Sequence, residues 1–347
     1  MIKKGYHVAV VGATGAVGQK IIELLENEMK FNIVEVTLLS SKRSAGKKVR
    51  FKGREIIIQE AKTTSFEGVD IAFFSAGGEV SRQFVTHAVS SGAIVIDNTS
   101  EYRMAQGVPL VVPEVNAHTL EQHKGIIAVP NCSALQMVTA LQPIRKSFGL
   151  ERIIVSTYQA VSGSGIHAIH ELREQAKSIL AGEEVKSDIL PVKKDKKHYP
   201  IVFNVLPQVD IFTDNDFTFE EVKMIQETKK ILEDENLKMA ATCVRVPVVS
   251  GHSESVYIEL EKEASVAEIK GILMDAPGVI LQDNPSEQLY PMPLYAEGKI
   301  DTFVGRIRKD PDTPNGFHLW IVSDNLLKGA AWNSVQIAET LVEKGIL

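Results

Sequence analysis

Residues 6–11 form a short apolar run rich in β-branched side chains, and 19–28 then place Ile21, Leu24 and Leu25 at helical spacing. The pattern predicts strand, tight turn and helix. A second apolar strand is predicted at 34–39, within one βαβ length, with further strands at 70–74 and 93–96 joined by a helix at 79–91. After about residue 150 the pattern changes: 152–158, 239–249 and 255–260 alternate partly between apolar and polar positions, as a mixed or antiparallel sheet requires. Helices are predicted at 166–181 and 220–235, and 330–344 is again amphipathic.

These patterns predict an α/β chain. A Rossmann-like, doubly wound parallel sheet comes first, followed by an α+β region. The length of 347 residues accommodates two domains. Their expected limits are 1–131, completed by a C-terminal helix at 326–347, and 132–325. With 44% hydrophobic and 24% charged residues, disorder and collagen-like repetition are excluded. A net charge of -6 leaves no global positive field for nucleic acid or an anionic membrane. Two cysteines are too few for a disulfide framework, so a reducing, cytoplasmic setting is expected. No run approaches the ~18 apolar residues of a membrane span. Lys3 and Lys4 before an apolar run superficially resemble a secretion signal, but glycines and an amphipathic helix follow, as in mature structure. Lys193, Lys194, Lys196 and Lys197, within 186–200, read as a solvated loop rather than an anion site.

Between the first strand and first helix lie Gly12, Ala13, Thr14, Gly15, Ala16, Val17 and Gly18. Glycine there permits a tight turn and close approach of a pyrophosphate, which the helix N-terminus then faces with unpaired N–H groups. The spacing is GxxGxxG rather than GxGxxG, and close helix packing alone would also explain it. About 20 residues beyond such a loop an NAD-binding chain places an acid on the ribose hydroxyl. Here Ser40, Ser41, Lys42, Arg43 and Ser44 occur instead. Hydroxyls and a guanidinium favour a 2′-phosphate, so NADP is the expected cofactor; the alternative is a basic surface turn.

Cys132, in Val-Pro-Asn-Cys-Ser-Ala, is expected in the first turn of a helix that Pro143 ends or bends. Helix N–H groups there favour the thiolate, whereas a free cysteine is otherwise a small buried hydrophobe, the reading given to Cys243. Among nine histidines, His252 stands out in RVPVVSGHSES, a polar turn joining two strands with Arg245 in the first. Taken alone, such a histidine is a surface residue. Glu220 and Lys223 likewise read, by themselves, as an exposed i, i+3 ion pair.

Together GATGAVG, SEYRM, VPNCSA, TYQAVSGSG, the Glu220/Lys223 pair, RVPVVSGHSESV and NSVQIAE resemble the aspartate-β-semialdehyde dehydrogenase family, in that family's order and over nearly the whole chain. The resemblance implies reductive dephosphorylation of L-aspartyl 4-phosphate to L-aspartate 4-semialdehyde with NADPH, serving lysine, methionine, threonine and diaminopimelate synthesis. It implies Cys132 as nucleophile, His252 as acid-base group and Gln159 as an orienting group. Arg103 and Lys223 would hold phosphate, Arg245 the α-carboxylate and Glu220 the α-amino group, with Asn131 beside them. Gly12, Thr14, Gly15, Ala16, Val17, Ser40, Ser41, Arg43, Ser44, Gly163 and Asn333 would meet the cofactor. No metal is implied. The second domain becomes the catalytic and dimerisation domain of a homodimer. Two rivals are an N-acetyl-γ-glutamyl-phosphate reductase, in which Glu220 would serve no acetylated amine, and a non-catalytic NADP-binding assembly or redox-sensing protein, which would not need Cys132, His252, Arg103 and Arg245 together.

Overall fold

The computed structural model describes residues 5–27 and 29–347. The expectations involving Lys3, Lys4 and Glu28 lie outside them. The chain forms two compact units, residues 1–131 with 330–347, and 132–329.

In the first unit β1 (Tyr6–Val11) leads through the glycine turn into α1 (Ala16–Asn27), then β2 (Ile33–Ser40), β3 (Lys48–Phe51), β4 (Arg54–Ile57), β5 (Gln59–Glu60), β6 (Ile71–Phe74), α2 (Gly78–Ser90), β7 (Ile94–Asp97), α3 (Pro113–Asn116) and β8 (Ile126–Ala128). Six strands form one parallel sheet in the order β5-β2-β1-β6-β7-β8. The order reverses between β1 and β6, and at such a switch point a crevice opens beyond the strand ends. Every residue of β6 and β7 is buried, and both read as continuous apolar runs up to Asp97, the last residue of β7. Phe84, Val85 and Ala88 of α2 pack with Val11, Phe74 and Val95 of the strands, and Phe66 stacks on Phe74 at 5.8 Å. Each such aromatic, once buried, contributes about 1.5–3 kcal/mol. The β3–β4 hairpin was not anticipated, although its two-residue turn is legible: Lys52 and Gly53 both take positive φ, 46° and 78°.

The second unit comprises α4 (Cys132–Phe148), β9 (Arg152–Gln159), α5 (Ile166–Ala181), α6 (Phe219–Leu232), β10 (Lys238–Arg245), β11 (His252–Glu259), α7 (Val266–Met274), β12 (Val279–Leu281), α8 (Pro293–Ala296), β13 (Thr302–Lys309) and β14 (Gly316–Ser323); α9 (Asn333–Glu343) belongs to the first unit. Its sheet is mixed, in the order β10-β9-β11-β14-β13-β12. β9 pairs parallel with β10 and antiparallel with β11. One face is packed by α4, α6 and α7, while Ile154 and Tyr158 of β9 stand exposed on the strand's other side. The strand expected over 239–249 ends at Arg245, since Pro247 has no N–H to continue a ladder. α4 runs through Pro143 to Phe148 rather than ending there. Glu171 and Gln175, one turn apart on α5, accept N–H groups of Asp188, Ile189, Leu190, Ile201 and Val202 and so pin the long loop after that helix. Lys193, Lys194, Lys196 and Lys197 of that loop are exposed. Among the described residues no helix is long and apolar enough to cross a membrane.

Candidate active site

In the first unit the turn after β1 is closed by a hydrogen bond from Gly15 N to Gly12 O, at 2.9 Å. Gly12 has φ +97°, and a Cβ there would meet the Ser75 backbone at 2.9 Å. A Cβ on Gly18 would collide with the Gly12 carbonyl, so Gly18 serves close helix packing. Beyond this turn, at the β1/β6 switch point, lies a cavity of about 530 Å³ bounded by Gly12, Thr14, Gly15, Ser40, Ser41 and Lys42. Thr14 Oγ1 and Ser40 Oγ lie 3.0 Å apart. The shape and donors fit a dinucleotide phosphate, which needs bare backbone and hydroxyls at close range. Lys42, not Arg43, lines the cavity, and Arg43 is exposed. Ser44 is buried in the turn, its N–H donating to Ser41 O. Ala16 and Val17 begin α1 and are outside the lining. Glu60, beside Ser40 in the parallel ladder, is a carboxylate in the same cavity that sequence reasoning missed.

Elsewhere in this unit Arg103 is 9% exposed and donates from Nη2 to Asn98 O at 3.0 Å. Its loop is built on buried Asp97, which accepts from Ser81 Oγ, Thr99 N and Thr99 Oγ1. Burial raises the Asp97 pKa against those bonds. Asn131 is buried at the end of the unit, immediately before Cys132. Asn333 is fully buried and donates from Nδ2 to Val111 O, so it is not brought to the glycine-loop cavity.

The second unit gathers the remaining residues. Cys132 opens α4, half-buried, where the first N–H groups of the helix lie unsatisfied by the helix itself. A Cβ on Gly329 would stand 2.6 Å from Cys132 Cβ, so only glycine lets the backbone approach the cysteine there. Gln159 ends β9 and donates from Nε2 to Ser133 Oγ at 2.7 Å and to Glu220 Oε1 at 3.1 Å. It therefore links the start of α4 to the start of α6.

The next residue, Ala160, holds two groups at once. Its carbonyl accepts from Arg245 Nη1 at 2.8 Å, and its N–H donates to His252 Nδ1 at 3.0 Å. His252 is thus a buried residue at the first position of β11 and not on a surface turn. Because Nδ1 accepts, the neutral ring carries its proton on Nε2, an atom with no hydrogen-bond partner. Burial, then the nearby Arg245 cation, lower the His252 pKa to about 3, against the pull of Glu220. Arg245 is itself buried and lowered by desolvation, with Glu220 opposing. A Cβ on Gly163 would lie 3.0 Å from Arg245 Nη1 and 3.3 Å from His252 Cε1.

Glu220 and Lys223 do form the i, i+3 ion pair, at 2.8 Å, but not an exposed one: their side chains are 8% and 23% exposed. Lys223 also meets Asp210 at 2.9 Å. Burial disfavours its charge, yet the two carboxylates hold its pKa above that of an ordinary lysine. Asp210, Ser133 and the Ala160 backbone gave no sequence signal. Neither did Asn325, whose Oδ1 accepts from Gly251 N while its side chain meets Ser162 Oγ. Cys243 is fully buried, and desolvation pushes its thiol well up, so it is an inert packing residue.

Residues 7–123 match the family model described as semialdehyde dehydrogenase, NAD binding domain, and 141–328 match semialdehyde dehydrogenase, dimerisation domain. Aspartate-semialdehyde dehydrogenase of Bacillus subtilis is 64% identical over 339 residues, covering 97% of this chain and 98% of the relative. That of Aquifex aeolicus is 50% identical, covering 99% and 100%. Among solved structures, aspartate semialdehyde dehydrogenase II from Vibrio cholerae complexed with ASA superposes with TM-score 0.93 at 41% identity, covering 98% of this chain and 99% of that one. The Candida albicans enzyme with NADP superposes at 0.76 and 27% identity, covering 99% and 100%. The chain belongs to the aspartate-semialdehyde dehydrogenase family.

Proposed function

We propose that this chain interconverts L-aspartyl 4-phosphate and L-aspartate 4-semialdehyde through a thioester on Cys132, with NADPH as reductant. The observation that carries the reading is the joint placement, in one unit, of a helix-starting cysteine and buried Gln159, Arg245, His252 and Glu220. A non-catalytic module would have no use for so costly a set of buried polar groups. Relatives named for this activity, one solved with ASA, support it.

The Cys132 thiolate attacks the acyl carbon, and the tetrahedral adduct expels phosphate to leave a thioester. Lys223 is assigned to the phosphate as a point charge, and the family resemblance assigns Arg103 to it as well. The planar fork of Arg245 suits the α-carboxylate, and Glu220 the α-amino group. When bound, the reduced dinucleotide supplies the hydride that takes the thioester to a thiohemiacetal. Collapse of the thiohemiacetal releases aldehyde and returns the electron pair to sulfur. His252 Nε2 is the protic atom assigned to this exchange; it donates its N–H to charge on sulfur or oxygen.

NADP preference is supported by the hydroxyls of Ser40 and Ser41 and by Lys42 at the cavity; Glu60 is the opposing feature. A homodimer through the open sheet face of the second unit is supported by exposed Ile154 and Tyr158, the latter packed on Trp320 at 5.4 Å, and by the dimerisation-domain match. The reaction is tested in reverse, following NADP reduction with aspartate semialdehyde and phosphate. Omitting either substrate must abolish the signal. Undiminished reduction without phosphate would refute the acyl-phosphate reading.

A further inference from the structure

One helical turn beyond Cys132 on α4 lies Gln136, fully buried. Its Oε1 accepts a 2.6 Å hydrogen bond from Ser323 Oγ of β14. Ser323 is the register partner of His252 on β11. Two residues along β11 from His252, and so on the same face of the strand, is Glu254, also fully buried. Thus residues i+4 from the cysteine and i+2 from the histidine belong to one buried polar cluster, completed by the residue opposite the histidine.

The cluster is costly. Neither Glu254 carboxyl oxygen, nor Gln136 Nε2, has a formed hydrogen bond. Burial pushes the Glu254 carboxyl well above the usual carboxylate range, against the opposing influence of the Gln136 amide. Apolar side chains of similar volume at such positions are often neutral or stabilising. A buried polar group that adds little stability calls for a different role.

We propose that the Gln136–Ser323 hydrogen bond, with buried Glu254 on the same strand face as His252, forms a polar lock that fixes α4 in register with the β14–β11 ladder, and thereby aligns Cys132 with His252. The lock rests on the reading of those two residues as the reacting pair. Its members are positioning residues: they act through the backbone elements that carry the pair. An apolar interface between α4 and the sheet would hold the helix as tightly but tolerate sliding, because hydrophobic contact is non-directional.

The test is Glu254→Leu beside Glu254→Gln in the full-length protein. Four quantities are read: melting temperature, NADP binding, kcat in the reverse reaction, and the rate at which iodoacetamide alkylates Cys132. Cys243 is buried and does not obscure the last. The leucine variant is expected to melt at or above the wild-type temperature and to bind NADP normally. It should lose about ten- to a hundredfold in kcat, as small misplacements of reacting groups do, and show an altered alkylation rate. Glutamine, which keeps a donor and an acceptor, should restore most of the kcat. A leucine variant with wild-type kcat and alkylation rate overturns the proposal, and so does a glutamine variant as impaired as leucine. Should Glu254→Leu not fold, Gln136→Met removes the other half of the lock: lost kcat with an unchanged melt supports it, and full activity overturns it. Absence of turnover in the wild type would fault the proposed reaction instead, and the alkylation rates would still decide the lock.

Discussion

Replacing Gly163 with alanine tests the site where the glycine backbone passes close to Arg245 and His252. Gly163 does not have a left-handed φ, so its backbone accepts alanine, and the perturbation is the methyl group alone. That methyl would lie 3.0 Å from Arg245 Nη1, 3.3 Å from His252 Cε1 and 3.4 Å from His252 Nε2. Carbon contacts settle near 3.5–4.0 Å, so the guanidinium and ring must retreat by a few tenths of an ångström. Both are buried and tied to Ala160, at 2.8 and 3.0 Å, so the retreat lengthens the bonds that orient them. A misplacement of 1 Å costs about a hundredfold; a fraction of that predicts roughly a tenfold loss in kcat/KM, about 1.4 kcal/mol. Overpacking of this size removes about 1–3 kcal/mol of stability, partly offset by the stiffer unfolded chain. The assay is kcat/KM for semialdehyde at saturating phosphate and NADP, with melting temperature and NADP binding measured in parallel. Wild-type kcat/KM would show that Gly163 does not border the working positions of Arg245 and His252. A loss matched by a falling fraction of folded protein would also refute the argument.

Cys132→Ala should abolish turnover yet bind NADP normally; retention of more than about a tenth of the wild-type rate would exclude a covalent route. Lys42→Glu should weaken NADPH and spare NADH, with Arg43→Glu doing less because Arg43 is outside the cavity lining; the kcat/KM ratios of the two cofactors decide, and the reverse ranking would move the phosphate site to Arg43. Arg245→Lys should raise KM for semialdehyde and Arg103→Lys KM for phosphate, about tenfold each; effects on the opposite substrate would exchange the two assignments. The folded pKa of His252, about 3, lies below the unfolded value of about 6.5. The unfolded chain alone therefore binds a proton between these values, and this contribution to stability, complete above about pH 6.5, is lost as pH falls towards 3. His252→Asn should flatten the denaturation midpoint between pH 6.5 and 4, and an unchanged slope would contradict the depressed pKa.

The parallel sheet was legible because buried strands such as Ile71–Phe74 and residues 94–96 are short unbroken apolar runs that alternate with amphipathic helices. β13 and β14 were missed although they pair over most of their length. Arg306, Arg308 and Lys309 dilute the apolar signal of β13, and a half-open sheet allows such residues on its solvent face. At the site, the helix-starting Cys132 and the glycine turn were legible as local motifs. Asp210, Ser133 and Asn325 were not, since each matters through a partner distant in sequence. The contrast of Lys42 with Arg43 was equally hidden, because which of two adjacent, exposed cations borders the cavity depends on the 41–45 turn.

Burial also changes what the recognised residues can do. A histidine with a pKa near 3 is a poor proton donor or acceptor around neutrality, and two of its causes are charges at positions assigned to substrate groups: Arg245 lowers the value and Glu220 raises it. A substrate that pairs its α-carboxylate with Arg245 and its α-amino group with Glu220 neutralises both. Burial is the largest cause of the depressed His252 pKa, with Arg245 second and Glu220 opposing. The ligand-free site keeps the imidazole neutral beside a buried cation, and pairing of Arg245 and Glu220 with a substrate would remove only the smaller, coulombic part of the depression. The same pairing explains why a guanidinium, charged at any working pH, is suited to Arg245. A lysine there could shed its own proton on burial and would then no longer hold the histidine pKa down in the empty site.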